Sequence, residues 1–303
     1  MPTPIILDTD PGDDIDDAFA IAFAALHPGL DLRAVTTVYG DTVERARLAR
    51  SLLVRAGRGE VPVAAGCAGG LSVRHRNGLK RLETHEGFNQ SAAALPEVRL
   101  PPRDPRHAVQ LIIDTIMAGD GDVVPVTIGA MTNLAMALVQ EPRLRAKIPR
   151  IVCMACEFDR PHAEWNIVCD PVAADIVFSS GIPVDVTTWT IGWICTMTQA
   201  EVDRIAADTG DLSVIVADCT KRWMDSHPNN RPHLYDPVAL AAMVDPTICT
   251  WATGTVSIET VGQHTFGMSR LHKGDGPHRV QVGVDRDRAM TLILDHLLGA
   301  KVG

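Results

Sequence analysis

Apolar strand-like runs alternate with helical stretches over the first two thirds of this 303-residue chain. That alternation predicts an α/β fold with an open, mostly parallel sheet and helices on both faces. Two further observations bear on the prediction. No internal repeat, low-complexity tract or linker divides the chain, so residues 1–303 are expected to form one domain. Asp8 and Asp10 stand at the carboxyl end of the first strand, where open α/β sheets bind their ligands.

The first strand is "PIILDTD", and a helix follows from about Asp14 to His27, its acidic start suited to the helix dipole. Next come the strand "LRAVTTV", a helix from about Val43 to Ala56 and the strand "VPVAAG". A helix near 105–118 precedes "VVPVTIG", and another near 131–147 precedes "RIVCMAC". The helix from Pro171 to Ser180 opens on Asp-Pro, a common N-cap and first-turn pair, and leads into "IPVDVTT". Two stretches break the rhythm: Gly-rich, basic residues 67–104 and the polar loop "DSHPNNRPHL" at 225–234. Long loops of this kind commonly serve as lids or binding loops.

A formal net charge of −9 argues against nucleic acid or an anionic membrane surface as partner. There is no apolar run of about 18 residues, and the N-terminus has no signal-peptide pattern. A cytoplasmic location is the expectation. Seven cysteines, odd in number and scattered through apolar segments, do not form a disulfide framework. Cys153 and Cys156 have CxxC spacing without a second pair at zinc-finger distance, and core packing is the expected role.

Residues 8–17, "DTDPGDDIDD", hold six aspartates in ten positions with no basic residue among them. Such a cluster is self-repelling unless a cation binds. An EF-hand is excluded, because the position for its bidentate Glu is Phe19 or Ile21. Helix-start carboxylates account for one or two of the six. "DTD" after a strand also resembles the nucleophile motif of the haloacid dehalogenase phosphatases, although the chain continues Pro11-Gly12 instead of that family's turn.

The wider pattern resembles the inosine-uridine preferring nucleoside hydrolases. "ILDTDPG…DDAFAIAFA" is similar to their N-terminal signature, and "VTIGAMTNLA", "AEWNIVCDPVAADIVFSSG" and "LYDPVALA" resemble later motifs in the same order. The resemblance implies a Rossmann-related α/β sheet and hydrolysis of the N-glycosidic bond of a ribonucleoside to ribose and free base. It also implies a calcium ion, whose six to eight oxygen ligands can include carboxylates, a diol and water. A nucleoside is then the small-molecule partner, with a homodimer or homotetramer as the expected assembly. Other readings are a hydrolase of a non-standard ribosyl compound, a haloacid dehalogenase-class phosphatase or a non-catalytic ribose-binding relative.

Carried over residue by residue, the resemblance makes Asp10 a metal ligand and the base toward the attacking water. Asp17 becomes the bidentate ligand, the Thr127 carbonyl and Asp236 complete the metal set, and Asp16 accepts from a ribose hydroxyl. Glu164 and Asn166 would hold the 3′- and 5′-hydroxyls, with Trp165 beside them at the substrate. The chain also departs from the family. "DPGDDIDDA" carries two extra residues, so the loop must bulge and Asp13 or Asp14 could replace Asp16. The family's Asn shortly before Glu164 is missing. Tyr235 stands where purine-accepting members often have histidine, and a phenol with a pKa of about 10 is a poor acid at neutral pH. His85, His162 and His233 are the alternative proton donors. Trp165, Trp189, Trp193 and Trp223 are placed either against a base or in the core.

Overall fold

The protein is described here by a computed structural model covering residues 1–72 and 88–299. Nine strands form one sheet: β1 Thr3–Thr9, β2 Leu30–Thr37, β3 Val63–Ala65, β4 Val124–Thr127, β5 Ile151–Met154, β6 Val184–Thr187, β7 Cys249–Ile258, β8 Ser269–Lys273 and β9 His278–Val284. Their order is β3-β2-β1-β4-β5-β6-β9-β7-β8. Every pair from β3 to β9 is parallel, and β7 runs antiparallel to both β9 and β8. The expected mostly parallel sheet is therefore present, extended by an antiparallel margin.

The chain runs outward from β1 to β2 and β3, then returns to place β4 on the other side of β1. This reversal opens a crevice beyond the carboxyl ends of β1 and β4, the usual ligand position in such sheets. Side chains alternate across β1: Ile5 and Leu7 join one core layer, and Ile6 joins the other. By the same parity Thr9 faces helix α1 (Asp16–Leu26), while Asp8 faces helix α4 (Thr132–Gln140).

Helices cover both faces. One layer holds α1, α2 (Thr42–Arg55), α9 (Gln199–Ala207), α10 (Asp211–Ser226), α11 (Tyr235–Val244) and α12 (Arg286–Leu297). The other holds α3 (Ala108–Ala118), α4 and α7 (Pro171–Phe178). Asp16 to Ala25 of α1 are all buried, as expected of a helix apolar on every side and rich in small alanines. Among the described residues no helix is long and apolar enough to cross a membrane. Cys153 and Cys156 sit in the core as free thiols.

Two expected helices differ in extent. The stretch near 131–147 is α4 followed by a short α5 (Leu144–Lys147), because Pro142 disfavours helical geometry at Glu141 and has no N–H to donate. Helix α1 starts at Asp16, not Asp14, because residues 11–15 form the expected bulge. Arg45 of α2, only 1% exposed, lies beneath it. Its guanidinium donates to the Tyr39 carbonyl at 2.6 Å, to Pro11 O at 3.1 Å, to Asp10 O and to Asp13 Oδ2 at 2.7 Å. Gln90 Nε2 donates to Asp14 O at 2.8 Å and Asp13 O at 3.3 Å.

Arg45→Met should therefore remove the ion pair to Asp13 and the donor to the carbonyls of Asp10, Pro11 and Tyr39. Unfolding in urea should show a loss of about 3 kcal/mol or more, the usual cost of breaking a buried ion pair. An unchanged midpoint would mean that the bulge is held by other contacts.

Candidate active site

Three chain segments converge at the crevice. The end of β1 brings Asp8 and Asp10, the first turn of α1 brings Asp16 and Asp17, and the first turn of α11 brings Asp236. Asp16, Asp17 and Asp236 are buried, with one carboxylate oxygen from each lying within 4.8 Å of the others. The α11 backbone reaches into the cluster, with Asp236 N donating to Asp16 Oδ2 at 3.1 Å. Asp17 Oδ1 accepts from Asp10 N at 3.0 Å and from the Thr9 hydroxyl. Neither α1 nor α11 has a side-chain N-cap, so both present positive dipole ends toward these carboxylates.

Burial dominates the electrostatics. Asp10, Asp16 and Asp236 are all held well above the ordinary carboxylate range, first by desolvation and then by neighbouring carboxylates: Asp17 and Asp13 beside Asp10, Asp14 and Asp17 beside Asp16, and Asp16 and Asp17 beside Asp236. Asp17 is pushed up to about 6, limited by the bond from Thr9 and the charge of Arg45. Converging, desolvated oxygen donors on a rigid frame fit a hard divalent cation.

Asp8 has a structural place. It accepts from Thr36 Oγ1 at 2.6 Å and Asn133 Nδ2 at 2.8 Å, and desolvation raises it to about 7. Asn133 also accepts from Cys67 N at 2.9 Å, so this amide ties β1, α4 and the start of the Gly-rich stretch together. Thr127 ends β4 in register with Asp8. Two residues on, Gly129 leaves room for Asp10, since a Cβ there would stand 2.6 Å from Asp10 Oδ1.

Beyond the next strand, β5, the connection ends at Glu164, which caps α6 (Trp165–Cys169). Its carboxylate accepts from the backbone N–H groups of Asn166 at 2.8 Å, Ile167 at 3.2 Å and Cys156 at 3.2 Å, and burial pushes it up to about 7. Asn166 Nδ2 donates to Ile128 O at 2.9 Å and Met154 O at 3.1 Å, bracing α6 against β4 and β5. Trp165 stays exposed and meets Tyr39 edge-on at 6.2 Å.

An aromatic wall rises beside Asp236. Trp189 and Trp193 of α8 (Trp189–Ile194) stack at 5.0 Å, and Trp189 faces Tyr235 at 6.4 Å. Trp193 also stacks on His233 at 4.1 Å. Gly192 permits this packing, because a Cβ there would lie 1.9 Å from the Tyr235 ring. Burial and the neighbouring carboxylates Asp14 and Asp16 push the Tyr235 phenol further up. His233 bonds Thr196 Oγ1 at 2.6 Å, and His162 is edge-on to Trp189 at 5.2 Å. Trp223 is buried in the core, stacked on His227, and its side chain hydrogen-bonds the Asp14 carboxylate. His85 lies outside the described residues.

The sequence reading missed Arg45, Gln90, Asn133 and Glu157. Arg45 carried a usable signal, a charge on the buried face of α2 between Thr42 and Ala46, Leu48 and Ala49. Nothing local marks Gln90.

Residues 5–291 match the family profile described as inosine-uridine preferring nucleoside hydrolase. The chain belongs to this family. The pyrimidine-specific ribonucleoside hydrolase RihA of Escherichia coli O1:K1 is 33% identical over 98% of this chain and 99% of its own length. Among solved structures, the plant nucleoside hydrolase PpNRh1 superposes with a TM-score of 0.82 at 27% identity, covering 98% of this chain and 99% of its own. A purine-preferring ribonucleoside hydrolase from Gardnerella vaginalis superposes at 0.80, also with 27% identity, covering 98% of each chain. This nucleoside hydrolase is thus an enzyme that cleaves the N-glycosidic bond of ribonucleosides, and the phosphatase reading falls. The family is metal-dependent, and the buried aspartates are the donor set that fits a metal.

Asp8, Asp17 and Glu164 hold protons more tightly when folded than in the unfolded chain. Their contribution to stability is full below about pH 4 and is lost as pH rises through about 6 to 7. Chelator-treated protein should accordingly melt at higher temperature near about pH 5.5 than near about pH 7.5. A divalent cation should raise the melting temperature more at the higher pH. Equal cation effects at both values would place the metal away from these groups.

Proposed function

We propose that this nucleoside hydrolase acts on pyrimidine ribonucleosides and uses calcium. The observation that carries the reading is the convergence of Asp16, Asp17 and Asp236, with the Asp10 N–H bonded to Asp17, beside an aromatic wall whose phenol, Tyr235, is held neutral. The likeness to RihA, named as pyrimidine-specific, supports the choice of base.

Asp10, Asp17, Asp236 and the Thr127 carbonyl would hold the ion. Calcium bound there would supply a Lewis acid toward water and a grip on the ribose diol. Asp10, at the end of β1 and bonded through its N–H to Asp17, takes the proton of the attacking water. Asp16 accepts from a ribose hydroxyl. Glu164 and Asn166 hold the 3′- and 5′-hydroxyls; the Asn166 N–H groups are committed to Ile128 and Met154, so its carboxamide oxygen serves as acceptor. Trp165 and the Trp189 wall flank the base. Tyr235 donates a hydrogen bond and keeps its proton. The reading includes a single domain, supported by the continuous sheet, and a homodimer or homotetramer, which light scattering would measure. It places the enzyme in the cytoplasm, in keeping with seven free cysteines.

The test is ribose release from uridine, cytidine and inosine by protein stripped with chelator and then reloaded with calcium. Activity should return with calcium at about one ion per chain and should be weakest on inosine. Asp10→Asn should lower kcat by roughly 10³-fold with little change in KM, because the base acts in the transition state. A variant retaining a tenth of the turnover would move the base to Asp13 or Asp14.

Tyr235→Phe removes the hydrogen bond and any proton donation together, and the size of the loss tells which of them mattered. It should keep at least about a tenth of kcat on the best substrate, since a positioned general acid is worth roughly 10²-fold or more. Collapse of turnover with fold and metal content intact would make the tyrosine the acid.

A further inference from the structure

We propose that Arg160 is a catalytic residue that takes up the negative charge of the departing nucleobase, an inference that rests on the ribohydrolase function above. Arg160 lies in the connection between β5 and α6, in the stretch where the chain lacks its family's Asn. Its guanidinium carbon sits 4.8 Å from the centroid of Trp189, the ring that faces Tyr235. Among the described residues it has no carboxylate partner, whereas Arg106, Arg143, Arg279, Arg286 and Arg288 each do.

The position is built. Glu157 Oε1 accepts from Asp159 N at 2.6 Å and Arg160 N at 3.1 Å. Its other oxygen accepts from Thr190 N at 3.1 Å and Thr190 Oγ1 at 2.8 Å. One buried carboxylate therefore ties the backbone of the Arg160 loop to the first turn of α8, the helix that carries the indole under the exposed guanidinium. A guanidinium stacked on an aromatic face keeps its edge N–H groups free to donate.

In the reaction the C1′–N bond breaks with its electron pair going to the base. The water oxygen bonds C1′ and passes a proton to Asp10. Because Tyr235 keeps its proton, the base leaves as an anion, with charge spread onto the carbonyl oxygens flanking its ring nitrogens. Arg160 donates to that carbonyl edge, and solvent later protonates the base and takes up the proton from Asp10. The substrate class is a nucleoside with an acidic, carbonyl-bearing base, uracil-like in preference to cytosine-like.

The test compares wild type with Arg160→Gln and Arg160→Lys on uridine, 5-fluorouridine and 4-nitrophenyl riboside, leaving groups of rising acidity. Arg160→Gln should lose roughly 10²-fold in kcat/KM on uridine, the low end for removing a donor to a developing anion. The loss should be smaller on 5-fluorouridine and at least about tenfold smaller on the nitrophenyl riboside, with Arg160→Lys recovering part of it. An equal loss on all three, or none, overturns the role and leaves the ribohydrolase reading standing. If wild type releases ribose from none of them, both fall.

Discussion

The rest of the structure depends on one electrostatic constraint: a group of carboxylates is held out of water at the end of β1. Desolvation and mutual repulsion both oppose ionisation there, and the raised pKa values of Asp10, Asp16 and Asp236 record that opposition. The fold offsets it from several directions. Arg45 supplies one buried positive charge, and α1 and α11 supply two uncapped helix N-termini. Thr9 and the Asp10 N–H bond Asp17. What remains uncompensated is the negative potential that a divalent cation satisfies, so the raised pKa values and the fit to a metal have a common origin.

The sheet topology makes this arrangement possible. Because the chain reverses at β1, the carboxyl ends of β1 and β4 face an open crevice instead of a connecting helix. Pleat parity then divides the work of adjacent residues. Asp8 turns to α4 and becomes an anchor with Asn133, Thr9 turns to α1 and orders Asp17, and Asp10 leaves the strand toward Gly129. Three residues in sequence thus serve three layers of the molecule.

Beside the carboxylates, the wall from β5 to α8 is aromatic, carries the Arg160 guanidinium on Trp189 and is braced by two buried glutamates. Glu164 ends its hydrogen bonds at the start of α6, and Glu157 joins the following loop to α8. A cation-seeking floor and an aromatic wall are what a molecule with a polyhydroxyl sugar and a flat base requires of a pocket.

Much of this was legible in the sequence. The strand and helix alternation predicted the parallel sheet, since apolar periodicity reports burial directly, and it erred only where Pro142 split a helix and the bulge delayed α1. Six aspartates after an apolar strand announced a cation site by charge density alone. Ordered motifs pointed to Asp236 and Glu164, though not to how they meet the rest. Only the tertiary structure decided that Asp16 and Asp17 close on Asp236 from across the chain, that Asp8 anchors β1 to α4, and that Arg45 sits under the bulge. It alone separated Trp189 and Trp193 on the wall from Trp223 in the core. The physical reason is that composition and period are local properties of a chain, whereas desolvation, counter-charge and stacking depend on distances between segments far apart in sequence, which only the packed sheet and helices set.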